Sequence, residues 1–370
     1  MKIGTVKEIK RYEFRVGLTP SNVHEYIANG HEVYIESGAG EGSSITDEDY
    51  EAAGAIILPT AADVWQTADM IVKVKEPLFD EYPHMREDQI IYTYLHLAAD
   101  KPLTEALLKS KSKSVAYETI YDNKCTLPLL KPMSEVAGKM SIQAGARCLE
   151  KPMGGRGILL GGVAGVARAK VTIIGGGIVG RSALKMAVGL GASVTILDNN
   201  LETLSYIDDI FGQSVQTLFS TPYAIEKNLY DADLVIGAVL IPGAAAPKLI
   251  KREYLKNMKP GSVIVDVAVD QGGCTETTKA TYHDDPTYVV DGVVHYCVAN
   301  MPGAVSQTST YALTNATLKH GVKIANMGLE NAALHDSGLA AGVNTYKGFL
   351  TCEEVARAFS MEYTALRSII

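Results

Sequence analysis

The chain of 370 residues reads as an α/β protein made of two doubly wound, Rossmann-like domains, one inserted into the other. Three observations lead there. Short apolar runs alternate with helical patterns along the chain, as βαβ units and a parallel sheet require. One such run opens into a glycine turn of the form G-x-G-x-x-G, GGGIVG at 175–180. The alternation also breaks near 134–162 and then restarts, and the length suits two domains better than one. The expected division is 1–128 with 307–370 against 129–306.

The elements follow in order. A first strand is expected at 2–6. Thr19 supplies a helix N-cap and Pro20 a first helical position, and Asn29-Gly30 stops that helix. A strand follows at 31–36. Thr46 caps an acidic first turn, Asp47-Glu48-Asp49, which suits the positive end of a helix dipole. Strands are expected at 70–74, 90–95 and 114–117, with Asp100 capping the helix between the last two. Residues 134–150 make a longer helix with no strand before it, a candidate bridge between domains. Strands resume at 171–174, 193–197, 214–219, 233–237, 262–267 and 287–290. A helix starts near Ser306 and runs to about Lys319. The remainder reads as helix and loop that return to the first domain.

Composition narrows the function. A net charge of −8 argues against a phosphate-backbone partner, which needs a basic surface, but not against a small anion in a local cationic pocket. The five cysteines are scattered without a CxxC pair, as free thiols in a reducing compartment would be. Cys274, in a Gly-Gly-Cys turn, has no obvious base beside it. The eight histidines show no metal-ligand spacing. MKIGTVKE enters a strand pattern directly, and no apolar stretch suffices to span a bilayer. A soluble cytoplasmic protein without nucleic-acid, membrane or metal partners is expected.

The glycine turn carries most because of its context. It follows an apolar strand, VTII, and opens a helix. Gly175 makes the tight turn, Gly177 lets backbone approach a pyrophosphate, and Gly180 lets helix pack on strand. The helix N-terminus offers N–H groups to the anion. A second strand, SVTILD, ends in Asp198, 18 residues after Gly180. Asp198 can accept from both ribose hydroxyls and would repel a 2′-phosphate, so NAD is predicted over NADP.

Ligands of doubly wound sheets sit outside the carboxyl ends of the strands. The polar residues there are Arg15 (EFRVGLTP), Lys75 (VKVKEP) and His96 (YLH) in the first domain, and Asp270 (VAVD) and Asn300 (CVAN) in the second. A guanidinium forks onto a carboxylate. A lysine in a partly dry cleft polarises a carbonyl or steadies an oxyanion. A histidine moves protons near neutral pH, and an aspartate can share that work. With NAD, this set suits oxidation beside the carboxylate of a small α-amino or α-hydroxy acid. Lys73 shares a strand face with Lys75 by period-two alternation, so alternation alone does not separate them.

These residues resemble the alanine dehydrogenase family over essentially the full length. The matching segments include EFRVGLTP, VKVKEP, LHLA, PLLKPMSEVAG, GGRGILLGGV, VDVAVDQGGC and YCVANMPGAV. The resemblance implies reversible, NAD-dependent deamination of L-alanine to pyruvate and ammonium by a homohexamer. It implies that 1–128 with 307–370 forms the substrate domain and 129–306 the NAD domain. Arg15 and Lys75 would hold substrate, and His96 and Asp270 would be the acid–base pair. Asn300 would belong to the substrate site. On the cofactor side it adds Ser134, Ser220, Val239, Leu240, Val267, Asp270, Val298 and Met301 to the glycines and Asp198. It also favours Lys75 over Lys73, which keeps a supporting charge. The alternative is the NAD-binding, hydride-exchange module of a transhydrogenase, similar in fold and sequence.

Overall fold

A computed structural model describes residues 1–239 and 246–370. Two compact units divide it, Met1–Met133 with Gly303–Ile370, and Ser134–Pro302. The helix Lys131–Cys148 carries the chain out of the first unit into the second.

The strands in chain order are β1 (Lys2–Thr5), β2 (Glu32–Glu36), β3 (Ile56–Leu58), β4 (Met70–Val72), β5 (Ile90–Thr93), β6 (Lys113–Ala116), β7 (Lys170–Ile174), β8 (Ser193–Asp198), β9 (Val215–Phe219), β10 (Leu234–Gly237), β11 (Val263–Asp266), β12 (Thr287–Val290), β13 (Val293–Tyr296), β14 (Val343–Tyr346) and β15 (Phe349–Leu350). Among the described residues, the first unit holds an eight-stranded sheet in the order β15-β14-β6-β5-β4-β1-β2-β3. The second holds a seven-stranded sheet in the order β12-β13-β11-β10-β7-β8-β9.

Both sheets share one plan. The strands β6-β5-β4-β1-β2-β3 are all parallel, and so are β13-β11-β10-β7-β8-β9. Counting only the parallel strands of each unit, both run 3-2-1-4-5-6. The order reverses between β1 and β4 in the first unit and between β7 and β10 in the second. Successive crossovers leave on opposite faces there, and a crevice opens beyond the carboxyl ends. The second unit buries both faces of its sheet, so its central strands carry apolar residues on both faces. Ile173, Ile196, Ile236 and Val265 pack on one side. Ile174, Leu197, Val235 and Ile264 pack on the other.

Caps at Thr19, Thr46 and Asp100 set the helices Pro20–Ala28, Asp47–Ala52 and Lys101–Ser110, each side chain accepting a first-turn N–H. Two expectations are corrected. The sixth parallel strand of the second unit is β13, not the run at 287–290, which is the antiparallel edge strand β12. Asp291-Gly292 joins them with φ of 49° and 82°, a two-residue hairpin turn with both residues left-handed. The chain after Ser306 also contains strands. The helix Ser306–Met327 is longer than expected, and β14 and β15 form a hairpin through Lys347-Gly348 that pairs antiparallel to β6. Runs this short show no usable periodicity.

Candidate active site

In the first unit, Arg15 follows β1 and Lys75 follows β4, the two strands that flank its reversal of order. Buried hydroxyls hold the Arg15 loop on both sides. The Val16 N–H donates to Thr310 Oγ1 at 3.2 Å, and the Ser43 hydroxyl donates to the Phe14 carbonyl at 3.0 Å. Ser43 and Thr310 hydroxyls meet at 2.8 Å. The Arg15 guanidinium is buried, and its Nε and Nη2 donate to the two oxygens of Glu13 at 2.6 and 2.5 Å. That bidentate pair fixes the plane of the fork. Nη1 lies 3.0 Å from Met133 Sδ.

Lys73 and Lys75 differ sharply. β4 stops at Val72, so strand alternation does not extend to either. Lys73 is wholly buried, with Nζ 3.1 Å from Glu8 and 2.9 Å from Glu81. Burial pulls its pKa down, but the two carboxylates outweigh burial and hold it above the usual lysine value. Burial raises the Glu8 pKa; Lys73 pulls it back in part, and the Glu81 carboxylate, which shares that ammonium, pushes it up again. Lys75 is partly buried, and its ammonium makes no hydrogen bond or ion pair among the described residues. Burial, then the nearby Arg15, lower its pKa; Glu76 opposes them in part.

His96 follows β5 in a left-handed conformation, φ 51° and ψ 37°. A non-glycine residue there costs roughly 1–2 kcal/mol and persists only where its surroundings insist. Here Glu118 Oε1 accepts the N–H groups of Leu95 and His96, at 3.1 and 2.5 Å. The half-exposed imidazole stacks on Tyr94, rings 5.9 Å apart and tilted by 7°, with Nδ1 3.9 Å from Glu118. The Tyr94 hydroxyl is itself tied to the Leu129 carbonyl at 2.6 Å.

In the second unit, a cavity of about 530 Å³ lies over the carboxyl ends of β7, β8 and β10. Ser134, Gly175, Gly177, Asp198, Ser220 and Val239 line it together, with Lys248 and Tyr254 on its wall. Gly175 turns with φ of +104°, which a side chain rarely permits, and a Cβ on Gly180 would stand 1.7 Å from the Gly175 carbonyl. The helix Ile178–Gly189 starts at Gly177 with no side-chain cap, so its first N–H groups are left to the cavity. Asp198 Oδ2 accepts from Gly176 N–H at 2.6 Å and Oδ1 from Asn200 N–H at 2.8 Å. A turn that approaches closely, an uncapped helix start and a carboxylate at the end of the next strand fit a dinucleotide: pyrophosphate at the glycines, ribose at Asp198.

Other expected residues do not line this cavity. Asp270 is exposed in the turn Val267–Gln271 after β11, and Asn300 follows β13 with φ of 60°. The side chains of Val298 and Met301 belong to the core, with Val267 packed against it. Leu240 lies outside the described residues. The Cys274 thiol is buried against Asp266; burial, then that carboxylate, push its pKa well up, so it stays a protonated thiol rather than a nucleophile. Among the described residues no His, Cys, Asp or Glu cluster could hold a metal, and no helix is long and apolar enough to cross a membrane.

Sequence reading missed Glu13, Tyr94, Glu118 and Glu8. Two of them carried a signal. Glu13 stands two residues from Arg15, and Tyr94 two from His96, a spacing that places side chains together in extended chain. Glu8 and Glu118 act across long loops and left no local trace.

Two doubly wound units, one with a dinucleotide cavity and one with fixed cationic groups at its strand ends, define a nucleotide-dependent oxidoreductase. The chain belongs to the alanine dehydrogenase/PNT family: the model of its N-terminal domain matches residues 4–137 and that of its C-terminal domain residues 141–353. It is 55% identical over 370 residues to an alanine dehydrogenase of Halomonas elongata, covering 100% of both chains. It is 57% identical over 365 residues to one of Methanococcus maripaludis, covering 98% of both. A solved L-alanine dehydrogenase superposes with a TM-score of 0.95 at 53% identity, over 97% of this chain and 99% of that one. A transhydrogenase from Sinorhizobium meliloti is more distant, with a TM-score of 0.82 at 26% identity, over 95% and 99%.

Proposed function

We propose that this chain catalyses the reversible, NAD-dependent oxidative deamination of L-alanine, converting alanine, NAD and water to pyruvate, ammonium, NADH and a proton. The observation that carries the reading is the state of Lys75. Its side chain stands partly buried, within electrostatic reach of Arg15 and with no ion pair among the described residues, where a developing negative oxygen would stabilise its charged form. The full-length likeness to alanine dehydrogenases supports the choice of substrate.

Arg15, oriented by Glu13, takes the substrate carboxylate. NAD, when bound, supplies the hydride acceptor that turns the amine at Cα into an iminium. His96 and Asp270 share the proton of the water that adds to it. Lys75 holds that oxygen through collapse to pyruvate. Asn300 helps to fix the substrate. Gly175, Gly177 and Gly180 shape the pyrophosphate turn, and Asp198 takes the adenosine ribose and selects NAD over NADP. Ser134, Ser220, Val239, Leu240, Val267, Val298 and Met301 complete the cofactor contacts. A cytoplasmic homohexamer is the working form, a reading that rests on the family alone.

The test is direct. Purified chain is mixed with pyruvate, ammonium and NADH, and absorbance is followed. Oxidation of NADH that requires both pyruvate and ammonium is expected. Oxidation that ignores ammonium, or exchange with a second nucleotide only, contradicts the reading.

A further inference from the structure

We propose that Glu8 is a positioning residue for the Lys75 ammonium, acting through the backbone that carries it; this rests on the role given to Lys75 above. Beyond the end of β4, the N–H groups of Val74 and Lys75 go to a carboxylate rather than to a neighbouring strand. Glu8 Oε1 accepts both, at 2.7 and 3.1 Å. Its Oε2 lies 3.1 Å from Lys73 Nζ. Lys73 reaches on to Glu81 Oε1 at 2.9 Å, and Glu81 Oε2 accepts the Leu78 N–H at 2.9 Å. Residues 74, 75 and 78 therefore hang from two carboxylates joined by one ammonium. From the other side, Tyr117 donates to the Lys73 carbonyl at 3.0 Å and Thr93 to the Lys75 carbonyl at 2.9 Å. Both peptide groups of Lys75 are fixed, while its ammonium has no partner among the described residues to place it.

The energetics favour this reading over a purely stabilising one. Glu8, Lys73 and Glu81 are all buried. Burying three ionisable groups costs desolvation that apolar side chains would avoid, so such a cluster is weak as a source of stability. What it supplies is direction: a carboxylate held rigid on one oxygen sets two consecutive amides with the other. A displaced stem would move the ammonium away from the oxygen it serves.

Glu8→Leu tests this, because it removes the acceptor of both N–H groups. We expect kcat to fall about tenfold to a hundredfold while KM for pyruvate and NADH affinity stay within about twofold, the pattern of a misplaced transition-state contact. Glu81→Leu breaks the same cluster without touching Val74 or Lys75. It should lower the melting temperature as much, yet keep kcat within about threefold of wild type. Wild-type kcat in Glu8→Leu, or equal kcat losses in both variants, overturns the proposal. Should Glu8→Leu fail to fold, Glu8→Asp, one methylene too short to reach both partners, carries the same comparison. Failure of the underlying reading looks different: Lys75→Ala itself would keep turning over.

Discussion

The same strand order builds two unlike strand-end regions. In the first unit the loops after β1, β4 and β5 carry basic side chains, each pinned by an internal carboxylate: Arg15 by Glu13, the Lys75 backbone by Glu8, and the His96 backbone by Glu118. In the second unit the glycine turn after β7, Asn199 after β8 and Ala238-Val239 after β10 border a cavity, with Asp198 at its edge. On the proposed assignment of substrate to the first region and nucleotide to the second, the contrast follows from what each ligand demands. A small zwitterion offers little surface, so its recognition needs a few strong, pre-aimed charges. A dinucleotide is long and brings its own charge, so it needs room, backbone N–H groups and one carboxylate.

The comparison breaks first at Lys73. Although it sits two residues from Lys75, its removal should cost mainly stability, with a smaller loss of turnover, because Glu8 Oε1 still accepts the Val74 and Lys75 N–H groups. Lys73→Met leaves Glu8 and Glu81 as unpaired buried charges, and a loss of about 3–5 kcal/mol in unfolding free energy is expected by denaturant titration. A variant as stable as wild type would show that the cluster is not the ion triad described.

A smaller effect is expected across the second unit. Asp198→Ala removes a charged hydrogen-bond acceptor, and NAD affinity should fall by about 1.5–3 kcal/mol, roughly 10- to 150-fold, with affinity for NADP unchanged or raised. Calorimetric titration of both nucleotides checks this. Unaltered NAD affinity would remove Asp198 from the ribose.

The finest test is pH. Burial, then Arg15 and Lys10, lower the Lys75 pKa, while Glu76 and Glu13 raise it. The ammonium is present below that pKa and lost as pH rises through it. The alkaline limb of kcat/KM should therefore lie below the ordinary lysine value, and Glu76→Gln, which removes a raising charge, should move it lower still. An alkaline limb that Glu76→Gln leaves in place belongs to another group.

Much of this architecture was legible in the chain. The apolar strands of the second unit, the glycine turn and Asp198 declare themselves because each is local: a run, a turn, a spacing. Caps at Thr19, Thr46 and Asp100 are local too. The β12–β13 hairpin was also written, in Asp291-Gly292, but the strands around it are too short for periodicity to separate them. The charged partners of the first unit were not legible. Glu8 meets Lys73 across 65 residues, and no neighbour of either announces the other. Alternation placed Lys73 and Lys75 on one face, and it failed because the strand ends at Val72, before either residue.

Lys75→Ala with NADH measures the division of labour between the two regions most directly. Turnover with pyruvate and ammonium should fall by about 10²–10³-fold, as when a single oxyanion partner is removed. NADH binding, followed by fluorescence titration on the same protein, should stay as in wild type. A parallel loss of nucleotide affinity, or turnover that survives the substitution, would contradict the account.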